Sequence, residues 1–213
     1  MRFYREDLAF VHDDGFGHLA SSAAEVLIDE LDRRGLKRGI VYDVGCGSGI
    51  TARALTDRGY SVAGIDLSES LLEMARKRVP EATFRVGSFV EIDIPTCIAV
   101  CAIGEVLNYT FDGRNCSTTR QAFFQGVFRA LVDGGVLLFD VAGPDRASDC
   151  PRRTFSEGQD WTVLVETSRK AMVLTRRIVT FRQSGSAYQR DSETHRLLLI
   201  PPDEIELELD AVG

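Results

Sequence analysis

The residues with the clearest chemical potential are Asp43-Val44-Gly45-Cys46-Gly47-Ser48-Gly49, which close the apolar run Ile40-Val41-Tyr42, and Asp66, which closes Tyr60-Ser61-Val62-Ala63-Gly64-Ile65. Glycines at the carboxyl end of a strand let the backbone approach a ligand closely, because no Cβ intervenes. The helix that follows offers free N–H groups and the positive end of its dipole. An acid at the tip of the next parallel strand can accept hydrogen bonds from both hydroxyls of a ribose. Together these features describe a nucleoside-binding crevice. The dinucleotide pattern G-x-G-x-x-G is tuned to a pyrophosphate, whereas here the glycines alternate and Asp43 stands two residues before the first. A carboxylate beside the loop repels a pyrophosphate in a low-dielectric crevice, and suits an ammonium or sulfonium group.

Val41-Tyr42-Asp43-Val44-Gly45-Cys46-Gly47-Ser48-Gly49 and Val62-Ala63-Gly64-Ile65-Asp66-Leu67-Ser68 resemble the first two motifs of the class I S-adenosylmethionine-dependent methyltransferases. The resemblance covers Ile40 to Val141 well and the rest loosely. It implies S-adenosyl-L-methionine as cofactor, with the loop of Gly45, Cys46, Gly47 and Gly49 passing under its amino-acid part. It places Asp43 near the ammonium, Asp66 on the ribose and Leu67 against adenine. Gly87-Ser88-Phe89 stands where the family often carries an acid followed by an aromatic. Ser88 replaces the acid, and Phe89 either stacks on adenine or packs in the core. Ile103 and Gly104 would offer backbone groups to the methionine end.

Methyl transfer from a sulfonium is an in-line displacement, so the largest contribution of the protein is positioning. A general base is added where the acceptor demands one. Three residues are candidates for that chemistry: Glu105, Tyr109 and His195. Glu105 and Tyr109 lie in Glu105-Val106-Leu107-Asn108-Tyr109, which crosses the mouth of the site in the family. Glu105 could bind an amine, act as a base or form a salt bridge, while Asn108 and Tyr109 could orient the acceptor. His195 shares a strand face with Glu193 by two-residue alternation, giving either an oriented general base or a cross-strand partner for Arg176 or Arg177. Phe10-Val11-His12-Asp13-Asp14-Gly15-Phe16-Gly17-His18 reads as a polar, mobile loop of the kind used as a lid. In the family such a segment often bears a tyrosine, so Tyr4, Phe16 or His18 could cover the cofactor. A metal site is the competing reading of those histidines and aspartates, but strict ligand spacing is missing and none is expected. Arg152 and Arg153 could bind an anionic group of a substrate.

The elements that must position these residues follow from periodicity. Helical spacing over 21–34 ends at Gly35, and strands at 40–44, 61–66, 83–86, 97–103 and 136–141 alternate with helices at 50–58, 69–79 and 118–131. Ser68 reads as the N-cap of the helix at 69–79. This is an α/β pattern, a Rossmann-like doubly wound parallel sheet, with ligands beyond the carboxyl ends of its strands. Residues 144–158 read as a polar loop. Segments 161–167, 172–182 and 187–200 then read as an antiparallel β insert near the C-terminus, with turns at Arg169-Lys170 and Ser184-Gly185-Ser186. In the small-molecule enzymes this chain resembles, such an insert roofs the active site. Residues 201–209 read as a helix entered through prolines. The family continues there into a final antiparallel hairpin, so a shortened C-terminal end is expected.

With 213 residues, the chain fits a single domain. Its expected parts are an N-terminal lid and helix (1–35), a cofactor-binding core (36–143) and a β cap (160–200). A net charge of −7 lacks the basic footprint of a nucleic-acid substrate. The expected partner is therefore a small-molecule methyl acceptor methylated at nitrogen or oxygen, with no nucleic acid and no membrane. Five cysteines without a C-x-x-C pattern point to free thiols in the cytoplasm. Two rivals stand beside the methyltransferase reading. A non-catalytic module could retain only the cofactor pocket. An NAD(P)-dependent oxidoreductase would fit Asp66 but not the glycine spacing, and no Tyr-x-x-x-Lys set is evident.

Overall fold

The computed structural model describes residues 3–148 and 150–212. Its first sheet contains five parallel strands: β1 (Ile40–Val44), β2 (Ser61–Asp66), β3 (Thr83–Val86), β4 (Cys97–Ala102) and β5 (Leu131–Phe139). Their spatial order is β3-β2-β1-β4-β5. The helices are α1 (Glu6–Phe16), α2 (His18–Arg33), α3 (Ile50–Asp57), α4 (Glu69–Arg78), α5 (Ser117–Ala130) and α6 (Pro202–Asp210).

Strand alternation assigns the faces. Along β4, Ala99 and Cys101 pack with Leu27 and Leu31 of α2, Leu55 of α3 and Leu72 of α4. Val100 and Ala102 pack with Phe123, Phe124 and Val127 of α5 and Ile205 of α6. Every residue of β4 is buried, as a central parallel strand covered on both faces requires. Ser68 caps α4, its hydroxyl accepting the Leu71 N–H at 3.2 Å, a contact of about 1 kcal/mol.

The C-terminal segments form a separate antiparallel sheet, β6 (Arg152–Glu157), β7 (Trp161–Lys170), β8 (Val173–Ser184) and β9 (Ala187–Leu198), paired in that order. It does not extend the parallel sheet. Helix α1 joins the two. Its Leu8 and Val11 pack with Trp161, Val163 and Ile178, each such burial contributing roughly 1.5–3 kcal/mol. On the core side, Asp13 accepts from the Ser48 hydroxyl at 2.5 Å and from both terminal nitrogens of Arg78 at 2.8 and 2.9 Å.

Several expectations need correcting. The segment 10–18 is mostly helix, not a mobile loop: burial of Leu8 and Val11 and the bond from Trp161 Nε1–H to Asp14 at 2.7 Å fix it to β7. Helix α2 begins at His18, three residues earlier than its apolar spacing indicates. The polar stretch 144–158 contains β6, whose weak signal reflects an exposed edge strand held by its ladder to β7. The turn expected at Arg169-Lys170 lies two positions later, at Ala171-Met172, with Ala171 at φ 51°. The strand expected at 136–141 begins five residues earlier, as β5 from Leu131, and its register against β4 shifts between Cys97 and Ala99. Among the described residues no helix is long and apolar enough to cross a membrane.

All five cysteines are free; Cys46, Cys97 and Cys101 are buried, and Cys116 and Cys150 exposed. Burial raises the first three thiols, whereas hydrogen bonds from Thr119 at the start of α5 lower that of Cys116. Only the thiolate alkylates. Iodoacetamide should therefore modify Cys116 and Cys150 in the folded protein and reach the other three only after denaturation, as peptide mass mapping would show.

Candidate active site

The loops after β1, β2, β3 and β4 converge on one crevice, lined by Gly45, Gly47, Asp66 and Leu67 from the first two, and by Ser88, Phe89, Ile103 and Gly104 from the others. Asp66 sits at the tip of β2, where one carboxylate oxygen accepts the Gly47 N–H at 3.0 Å and the other the Ser68 N–H at 2.8 Å. Burial raises its pKa and these bonds oppose the rise. Gly45 has φ 70°, and a Cβ there would lie 2.4 Å from Val106. Gly47 has φ 53°, and a Cβ there would meet no protein atom within 4 Å, so it would occupy space on the crevice side.

Three of the expected cofactor residues support the crevice from behind. Cys46 is buried in the core beside Gly64, and Gly49 packs against Ala75. Asp43 lies beneath the loop, where the Cys101 thiol donates to Oδ1 at 3.4 Å and Oδ2 has no partner. Burial pushes its pKa up to about 7. A buried carboxylate oxygen without a donor fits a cationic ligand group above it, directly or through water. Ser88 uses its hydroxyl to accept the Val90 N–H at 3.3 Å, capping the short 3-10 turn Phe89–Glu91. Phe89 lines the crevice and also packs edge-on to Phe123 in the core.

A wider cleft of about 800 Å³ opens beside the crevice, between the β4 and β5 loops and the antiparallel sheet. Tyr4, His12, Gly104 and Tyr109 border both. Glu105, at φ 63°, is the centre of an ion cluster: its oxygens take Arg176 at 2.6 and 3.0 Å and Arg146 at 2.7 Å. Burial pushes its carboxyl up, but the two arginines outweigh this and hold it below the ordinary value. A carboxylate so engaged is a weak base and a good anchor for the roof. Tyr109 donates to or accepts from the Tyr4 hydroxyl at 3.0 Å. Asn108 is fully buried and splices the segments together, its amide bonded to Ala142 and Leu198. Arg152 lines the cleft, whereas Arg153 pairs with Glu166.

His195, on β9, is completely buried, with Nε2 at 2.9 Å from Glu193 and Nδ1 without a partner. The rings of Tyr4 and Phe111 each lie 4.9 Å from it. Sequence reasoning missed Phe111, the facing of His12 toward both cavities, and Asp140. Asp140 accepts the N–H groups of Gly104 and Glu105 at 2.6 to 3.1 Å. Its signal was available: it ends an apolar strand, as Asp66 does.

Residues 42–139 match the family described as "Methyltransferase domain". Those residues, which carry the parallel sheet and its crevice, form a methyltransferase domain of the class I, S-adenosylmethionine-dependent kind. Over 192 residues it is 27% identical to YqeM of Bacillus subtilis (strain 168), named as a methyltransferase, covering 83% of this chain and 74% of that one. A shorter match, 28% over 129 residues, is to the 18S rRNA (guanine-N(7))-methyltransferase RID2 of Arabidopsis thaliana, covering 58% of this chain and 44% of that one. In fold, this methyltransferase resembles an S-adenosylmethionine-dependent methyltransferase from Clostridium acetobutylicum ATCC 824 (TM-score 0.81, 18% identity, 95% and 84% of the two chains). It also resembles S-adenosylmethionine-bound CalS10, an amino pentose methyltransferase from Micromonospora echinaspora (TM-score 0.74, 20% identity, 91% and 83%).

Two outcomes follow for the methyltransferase. Asp66→Ala should weaken S-adenosylhomocysteine by about 100-fold or more in calorimetry, since each hydrogen bond to a charged group is worth about 1.5–3 kcal/mol, while circular dichroism stays native. The pH dependence should follow Asp43. A cation beside it favours the ionised form, so below about pH 7 binding must release its proton. Affinity should then rise with pH up to about 7, and titration in buffers of different ionisation heat should show proton release that Asp43→Asn abolishes.

Proposed function

We propose that the methyltransferase acts on a small-molecule acceptor, methylating nitrogen or oxygen inside the cleft between its two sheets. The observation that carries this reading is the Glu193–His195 pair on the wall of that cleft, next to the cofactor crevice. An ionised carboxylate only accepts hydrogen bonds, so Nε2 of His195 must be the donor. In the neutral ring Nδ1 is then the lone-pair nitrogen, free to take the proton an acceptor loses.

Bound in the crevice, the cofactor supplies an activated methyl group. The chain supplies the rest. Asp66 and the glycine loop fix the nucleoside end, and Tyr109 and Arg176 border the acceptor side. The aromatic rings of Tyr4, Tyr109 and Phe111 exclude water from the junction. The RNA-modifying relative leaves a macromolecular acceptor as the test's other arm. The acidic net charge of −7 favours the small one.

Calorimetry with S-adenosylhomocysteine and NADH comes first, followed by methyl-transfer assays on small amines, hydroxylated acids and a structured RNA. Turnover on an amine or hydroxyl compound supports the reading; turnover on RNA alone overturns it. His195→Ala should lower kcat by about 10²- to 10⁴-fold with S-adenosylhomocysteine affinity retained. Full turnover by that variant would remove His195 from the chemistry.

A further inference from the structure

Residues 3–5, just before α1, form a strap across the crevice. Phe3 stacks on Phe111 at 3.8 Å, and Tyr4, at φ 48°, spans the junction of the two cavities. All three polar groups of Tyr4 are engaged. Its N–H donates to Glu193 at 2.8 Å, its carbonyl accepts from the Ser68 hydroxyl at 2.7 Å, and its own hydroxyl meets that of Tyr109. Ser68 is the residue whose N–H holds Asp66. With the strap in this position the crevice encloses about 120 Å³, below the roughly 300–1,000 Å³ of an ordinary ligand pocket. The strap must therefore lift for a nucleoside to enter.

One carboxylate holds two successive backbone N–H groups of the strap. Glu193 is 7% exposed. One of its oxygens accepts the Arg5 N–H at 2.8 Å, and the other accepts both the Tyr4 N–H and, at 2.9 Å, His195 Nε2. Arg5 is pinned to the same strand through Asp191, at 2.5 and 2.9 Å, and through the Ser192 carbonyl. We propose that Glu193 is a positioning residue that couples closure of the strap over the cofactor crevice to the orientation of His195.

Lifting the strap strips Glu193 of two backbone donors and frees the carboxylate to rotate, so the imidazole loses its fixed partner. Closing it restores both. The histidine is thus aligned when the crevice is covered, which confines proton removal to the loaded state. This rests on the crevice being the cofactor site.

The test combines calorimetry with ¹⁵N spectra of the histidine rings. In the wild-type protein, S-adenosylhomocysteine should shift the His195 ring nitrogen signals, although His195 borders only the wider cleft. Glu193→Gln should bind the same ligand about 10-fold more weakly. At saturation its His195 signals should stay where they were without ligand. Glu193→Asp keeps the charge but is one methylene too short to reach strap and ring together. It should behave likewise, and it stands in should the amide variant fail to fold. Wild-type binding with unchanged affinity in both variants, or a His195 shift that survives in them, overturns the coupling alone. A wild-type chain that does not bind S-adenosylhomocysteine overturns the coupling and the cofactor site together.

Discussion

A carboxylate removed from water must find donors, and in this fold Asp66, Asp140 and Glu193 each find theirs on the main chain of a segment bordering the site. Asp66 ties the glycine loop to the start of α4. Asp140 holds the turn after β4, including the left-handed Glu105. Glu193 fastens the strap. In each case the desolvation cost of the charge is offset by bonds to backbone N–H groups that would otherwise lack partners. Loops that carry chemistry are usually the softest parts of an α/β domain; here they are tied down by acids at the ends of β2 and β5 and, for the strap, by Glu193 within β9.

The second constraint is the seam between the two sheets. Neither sheet alone has a cleft. The parallel sheet supplies the crevice at its carboxyl edge, and the antiparallel sheet supplies Arg176, Glu193 and His195 opposite it. Two devices hold the seam. Glu105 with Arg146 and Arg176 is ionic, and α1, packed on Trp161 and tied to Arg78 and Ser48 through Asp13, is both apolar and ionic. Because Asp13 binds the glycine loop while Leu8 and Val11 pack on β7 and β8, α1 sets the distance between the two halves of the site.

The crevice at the strand ends was legible in the chain because local rules govern it. Glycine spacing, the acid two residues before it and the acid at the next strand tip all act within one strand–turn–helix unit. Even there, Cys46 and Gly49 serve the packing behind the loop, not its exposed surface. The acceptor half was less legible. The residues 10–18 read as a loop because their polar groups outnumber an interrupted apolar stripe, and only the sheet they pack against makes that stripe worth burying. Strand β6 escaped notice for the related reason that an edge strand exposed on both faces carries no alternation. Glu105 was a candidate base until the arginines from β8 and the β5–β6 connection were placed around it.

The sequence by itself determined the parallel sheet and the crevice at its carboxyl edge, because these depend on residues a few positions apart. It also paired Glu193 with His195, since two-residue alternation is a local property. Tertiary structure alone decided which side that pair faces and which oxygen of Glu193 serves the strap. It likewise decided that Tyr4 stands between the crevice and the wider cleft. The bond from Tyr4 to Glu193 joins residues 189 positions apart in the chain. No periodicity encodes such contacts; they exist because the antiparallel sheet folds back over the carboxyl edge of the parallel one and buries the N-terminal helix between them.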